Sequence, residues 1–162
     1  MPNEQQFNHL LTNMVWDENA LNRQRLARMQ TLPNAGDGVL IFADTGFEKR
    51  GRHSVGVARQ YTGTAGKVTN CQVTVNCHYA ERTLAWPVAT RLYLPQAWAA
   101  DEARRTQAHV PAAVRFQTKA EIALALRDEA KACGVQHTCV TCEADYGDNP
   151  PFLNGLAARG EC

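Results

Sequence analysis

Three groups of residues in this chain have the types and spacing for chemistry. Val39-Leu40-Ile41-Phe42-Ala43 is a run of five apolar residues that ends on a carboxylate, Asp44. A glycine-punctuated stretch carrying Lys49, Arg50, Arg52 and His53 follows it. A second set of acids, Glu143, Asp145 and Asp148, follows another β-like segment, Val135 to Cys142. Carboxylates at adjacent strand ends are the hard oxygen ligands of a two-magnesium phosphoryl-transfer site, whose ions stand ~3.5–4 Å apart. A basic loop beside such an acid suits an anion such as a nucleic-acid phosphate, although a solvated hairpin turn has the same composition.

The third group is Cys139-Val-Thr-Cys142, with the C-x-x-C spacing of zinc and redox sites. It falls in an expected strand, where residues three apart point to opposite faces and cannot grip one ion together. No second C-x-x-C or His pair at ligand spacing accompanies it. Buried core thiols are therefore the default reading for the six cysteines, including Cys71, Cys77, Cys133 and Cys162. His9, His78, His109 and His137 have no recognisable partners in the sequence. Tyr61, Tyr79, Trp86 and Trp98 read as core or sheet-surface aromatics rather than as base-stacking platforms.

The elements that must position these groups come from 162 residues, one domain's worth of chain. With 44% hydrophobic and 20% charged residues the composition is globular and not disordered. The net charge is only +1, but Asp44 to Lys67 holds five Lys/Arg against two acids, so positive charge is concentrated around the first candidate site. No apolar run reaches the ~18 residues of a membrane span. The first residues, Met-Pro-Asn-Glu-Gln-Gln-Phe, lack the basic start and apolar stretch of a secretory leader. The expected compartment is the cytoplasm, with no membrane partner.

Phe7, Leu10, Leu11 and Met14 make one apolar helical face, and Asp17 can cap a second helix over 18–30 with Arg23, Arg25 and Arg28 on it. Leu32 to Gly38 breaks the pattern, which separates a helical segment, 1–33, from a main domain, 38–162. Strands are expected at 39–43, around Val55 to Tyr61 and over Val68 to Ala80, forming a three-strand antiparallel meander, with a further β segment at 87–94. Gln96 to Gln107 reads as one helix. Thr118-Lys119-Ala120-Glu121 is a capping box that opens a helix running to Gly134, and Asn149-Pro150 starts the last helix. A crossover helix between strands makes the strands ending at Asp44 and Cys142 parallel neighbours, so that their acids share one site.

Asp44 to Tyr61, Gly66 to Val73, Arg91-Leu92-Tyr93-Leu94-Pro95 and Tyr146-Gly147-Asp148-Asn149 closely resemble, in order, the DDE transposases of bacterial insertion sequences. The resemblance runs from about Phe7 to Arg159. It implies an α/β fold with an RNase H-like mixed sheet and a cut-and-paste enzyme in which three acids hold two Mg²⁺ (or Mn²⁺) ions. Such an enzyme cleaves DNA at the element's ends and joins the freed 3′-hydroxyl to a target. Asp44 matches the first catalytic acid. Glu143 stands where the second, an Asp, is expected, with Asp145 two residues further on. One extra methylene moves the carboxylate by ~1.3–1.5 Å, a misplacement of the size that can cost ~100-fold in rate.

The family's third acid, a Glu on a later helix, has no counterpart before Cys162. The chain therefore reads as an internal piece of a transposase, with Asp44, Glu143 and Asp145 as metal ligands and Lys49, Arg50, Arg52 and His53 as phosphate contacts. Its expected partner is DNA, and its expected state alone is inactive. The alternative is a non-catalytic fragment that binds DNA or pairs with a full-length transposase and inhibits it. A sheet lacking later partners would leave an edge or apolar face open, which favours self-association.

Overall fold

The computed structural model describes residues 3–32 and 36–161, without the side chains of Phe7 and Leu11. Pro33, Asn34 and Ala35 of the expected helix break, and Cys162, lie outside the described residues. The chain divides into two compact units, Met1–Leu32 and Pro33–Cys162.

The first unit is a pair of helices, α1 (Glu4–Asn13) and α2 (Glu18–Met29). Asn3 and Gln6 form a reciprocal capping box on α1, and the Asp17 carboxylate accepts the Ala20 amide at 2.9 Å to cap α2. These side chains satisfy amides that the first turn leaves without partners.

The second unit is a mixed α/β structure around a five-stranded sheet: β1 (Val39–Glu48), β2 (Ala58–Thr62), β3 (Lys67–Ala80), β4 (Ala85–Leu92) and β5 (Cys139–Cys142). It is compatible with the RNase H-like fold that the resemblance implies. β1 pairs antiparallel with β3 over ten residue pairs and parallel with β5, Val39 opposite Cys139 and Phe42 opposite Cys142. The long β3 takes β2 along its first part and β4 along its last part.

This corrects the meander in two respects. The neighbour of β1 is β3, not β2. β2 is also short, because Gly56 at φ +77° and the Val57 amide bonded to Ser54 O turn the chain where extension through Val55 was expected. Pro87 of β4 pairs with His78 beside a register shift between Cys77 and His78, the kind of irregularity at which a strand proline is found.

Alternation places Leu40, Phe42, Val73, Val75, Cys77 and Tyr79 in the core. Helix α5 (Lys119–Ala132) packs on β3 and β4 with Ile122, Leu126 and Ala130 buried, and its Thr118–Glu121 capping box forms as expected. Gly134 at φ +78° ends it, with its amide on Lys131 O. The single helix expected over Gln96 to Gln107 is instead two, α3 (Gln96–Ala100) and α4 (Glu102–Gln107). Asp101, at ψ 90°, leaves the helical region and caps α4 by accepting the Arg104 amide at 2.9 Å. The expected strand from Val135 begins only at Cys139. A short α6 (Ala144–Gly147) that the periodicity does not announce precedes α7 (Pro150–Ala157), which Asn149 caps.

Candidate acid site and basic cavity

Asp44 does not stand in a turn after the strand. β1 continues through Glu48, and Asp44 is an in-strand residue opposite Val75. Strand periodicity therefore puts its side chain on the face of Leu40 and Phe42, and its side chain is only 10% exposed. That face is covered near Asp44 by the segment after β5. Phe152 of α7 meets the Phe42 ring edge-on at 6.0 Å and the Tyr146 ring at 5.2 Å.

Each oxygen of Asp44 has a partner. Lys119, the first residue of α5, places Nζ 2.5 Å from Oδ2. Tyr146 of α6 donates its hydroxyl to Oδ1 at 2.5 Å. Burial, then the hydrogen bond to Asp44, then the charges of Asp44, Glu143 and Asp145 push the Tyr146 hydroxyl well above the usual phenol range, so it remains a donor.

Parallel pairing of β1 with β5 brings Glu143 to Asp44. The Glu143 amide donates to Phe42 O at 3.1 Å, extending the ladder by one bond, and Glu143 Oε2 accepts the Asp44 amide at 3.3 Å. Asp145, two residues on, is exposed in the first turn of α6. Among the described residues no group of three or more His, Cys, Asp or Glu is gathered as a metal cage. The acids that the β1–β5 pairing brings near one another are two, Asp44 and Glu143. That suits one hard ion completed by phosphate oxygens and water, which is how Mg²⁺ is commonly held.

The basic residues gather elsewhere. Lys49, Arg50 and Arg52 line a cavity of about 470 Å³ with Arg59 of β2 and Arg104 of α4, five cations in all. His53 is exposed in the same loop but does not line it. The loop is tied down at several points. Asn70 donates to Lys49 O at 2.6 Å and Gly51 O at 2.9 Å, and Arg104 donates to Arg52 O at 2.7 Å. The Arg104 guanidinium lies 3.7 Å over the ring of Trp98, whose own N–H is bonded to Val57 O. Lys49 is five residues beyond Asp44, roughly 17 Å along the strand direction. A larger, mainly apolar cavity of 670 Å³, lined by Leu92, Leu94, Val110, Val114 and Ile122 among others, holds none of these groups.

Four contributors carry no role on sequence grounds: Lys119, Tyr146, Arg59 and Arg104. Tyr146 carried a signal, as the first residue of Tyr146-Gly147-Asp148-Asn149, one of the blocks that carry the family resemblance. Lys119 carried none, since its place in a capping box describes only its helix. His137, without a partner in the sequence, is 3.1 Å from Glu161. Of the cysteines, Cys71 and Cys77 are core residues, and burial raises the Cys77 thiol to about 12. Cys133, Cys139 and Cys142 are only half-buried, which corrects the core reading for those three.

The comparisons with known proteins bear on the same stretch. A family model described as DDE superfamily endonuclease matches residues 2–162. A probable transposase for insertion sequence element IS701 from Microchaete diplosiphon is 28% identical over 149 residues, 92% of this chain. The chain spans only 36% of that relative's length. No solved structure matches the chain. A match that runs through both the Asp44 strand and the Glu143–Tyr146 turn leaves no part of the candidate acid site outside the family: this chain belongs to the DDE superfamily of endonucleases.

Proposed function

We propose that the chain is a transposase-derived DNA-processing module with an RNase H-like core, in which Asp44 and Glu143 hold a divalent cation, Mg²⁺ or Mn²⁺, against a DNA phosphate. The observation that carries this reading is the meeting of the two acids across the parallel β1–β5 pair, with Glu143 Oε2 on the Asp44 amide. A bound ion would supply Lewis-acid polarisation of the phosphate and activation of a nucleophilic oxygen. The chain's own part is to orient the carboxylates. Tyr146 fixes Asp44 through Oδ1, and the Glu143 backbone is held by Phe42 O. Asp145, exposed in the first turn of α6, would add negative charge to the site rather than a fixed ligand. With two carboxylates gathered and Lys119 on one of them, cut-and-paste transposition by this chain alone is not expected.

Nicking of supercoiled DNA by the purified chain in Mg²⁺ and in Mn²⁺ tests the reading. Slow cleavage that disappears in Asp44→Ala supports it. Absence of cleavage in both metals overturns residual catalysis.

The basic cavity favours a second reading, a non-catalytic role in which the chain binds DNA or pairs with a full-length transposase. Lys49, Arg50 and Arg52, with His53 beside them, then touch phosphates without regard to base sequence. Salt-sensitive DNA binding that is unaffected by chelator and weakened in Lys49→Ala/Arg50→Ala supports it. Removing one phosphate-neutralising cation makes the slope of log K against log[salt] shallower by about 0.9. Four-residue β5 has no second strand neighbour among the described residues, which leaves an edge for self-association. A strictly monomeric chain in sedimentation would exclude that part.

A further inference from the structure

We propose that Lys119 is a built-in counter-cation of the Asp44 site, an ammonium that a divalent ion must displace before it can bind. The inference rests on the metal reading above and concerns what guards that site.

Both Asp44 oxygens are in use: Oδ1 takes the Tyr146 hydroxyl and Oδ2 takes Lys119 Nζ, each at 2.5 Å. The two partners differ in kind. Tyr146 is buried, with its ring packed edge-on against Phe152, so its bond is part of the core. Lys119 is 31% exposed, and its ammonium stands 5.8 Å from the Tyr93 ring. A flexible four-carbon stem lets such an ammonium leave for solvent or a phosphate while its backbone stays in the helix.

The location is also unfavourable for a lysine by helix electrostatics. Lys119 is the first residue of α5, where the macrodipole disfavours a cation. Glu121, which accepts from the Thr118 amide at 2.7 Å, meets the demand of that helix end already. What retains the ammonium there is the Asp44 carboxylate, a largely buried acid that needs a positive partner while no metal ion is present. Lys119 and a divalent ion thus compete for Oδ2, and the lysine released by the ion is set free at the mouth of the site.

Mn²⁺ binding to the full chain, followed by isothermal titration calorimetry and by the Mn²⁺ electron paramagnetic resonance signal, tests this without relying on activity. Lys119→Met should bind Mn²⁺ roughly ten-fold or more tightly than the unmodified chain, since a hydrogen bond to a charged group no longer has to be broken. Lys119→Arg, which keeps the cation, should stay near the unmodified affinity and serves as the folded control. Should Lys119→Met prove unfolded, Lys119→Gln makes the same comparison. Equal or weaker binding in the neutral variants, with binding still abolished by Asp44→Asn, overturns the counter-cation role and leaves the metal reading standing. No Asp44-dependent Mn²⁺ binding in any variant overturns both.

Discussion

The hydroxyl of Tyr146 donates to Asp44 Oδ1 at 2.5 Å, joining two residues 102 positions apart in the chain. This bond couples the turn after β5 to the middle of β1, so the carboxylate is oriented by the core rather than by solvent. Tyr146→Phe keeps the ring in place against Phe152 and removes only the donor. It should destabilise the fold by about 1–3 kcal/mol, because a buried carboxylate loses one of its two partners. Urea denaturation with an unchanged m-value would check this, and a loss below ~0.5 kcal/mol would show that the bond has little weight.

The segment after α7 is held by a second buried charge cluster. Arg127, 6% exposed, pairs with Glu161, which also accepts from His137, while Arg159 binds Asp128 at 2.8 Å. Burial pushes the Glu161 carboxyl up, but the Arg127 and His137 bonds outweigh it and hold the group below the usual glutamate range. A carboxyl depressed in the folded state adds stability that is present above its unfolded pKa and is lost as pH falls through the folded value. Stability should therefore decline as pH drops below the ordinary carboxylate range. Glu161→Gln should cost about 1–3 kcal/mol at neutral pH by removing a charged hydrogen-bond partner of Arg127, whose guanidinium keeps Asp128 and Arg159 O, each at 3.2 Å, and should flatten that decline. Denaturant midpoints measured from neutral pH down through the carboxylate range give both quantities.

Arg104 organises the basic cavity as well as adding charge to it, through Arg52 O, Val57 O and the Trp98 ring. Arg104→Ala should lower stability by about 1–2 kcal/mol and weaken binding of a DNA duplex several-fold. Arg104→Lys should not restore the stability, since an ammonium lacks the planar fork that stacks and bonds at once. Full recovery in the lysine variant would reduce the residue to a charge.

Gly46 sits on β1 where an added Cβ would run into the Thr62 side chain, and its amide donates a hydrogen bond to Thr64 Oγ1 at 3.0 Å. Gly46→Ala must push β1 away from the β2 end, at about 1–3 kcal/mol. The check is thermal unfolding alongside Gly51→Ala, a position open to solvent that should change little.

Much of this was legible in residues alone, for physical reasons that are local. Asp17, Thr118 with Glu121, Gly134 and Asn149-Pro150 mark helix ends because capping depends on a few neighbouring atoms. The parity of Val73, Val75, Cys77 and Tyr79 marks a buried face because a strand repeats every two residues. The parallel relation of β1 and β5 followed from the intervening helix, and with it the approach of Glu143 to Asp44. What stayed hidden depends on which distant parts meet. Nothing near Asp44 in sequence says that β1 pairs with β3 rather than β2, because strand neighbours are chosen by the packing of whole faces. Nothing near Lys119 says that a helix start will deliver an ammonium to an acid 75 residues earlier. The sequence by itself determined the helix ends, the strand faces and the resemblance to a DDE endonuclease. Only the tertiary structure decided that Asp44 is buried inside a strand and held between Lys119 and Tyr146, because a carboxylate's partners are set by the three-dimensional crossing of elements that the chain keeps far apart.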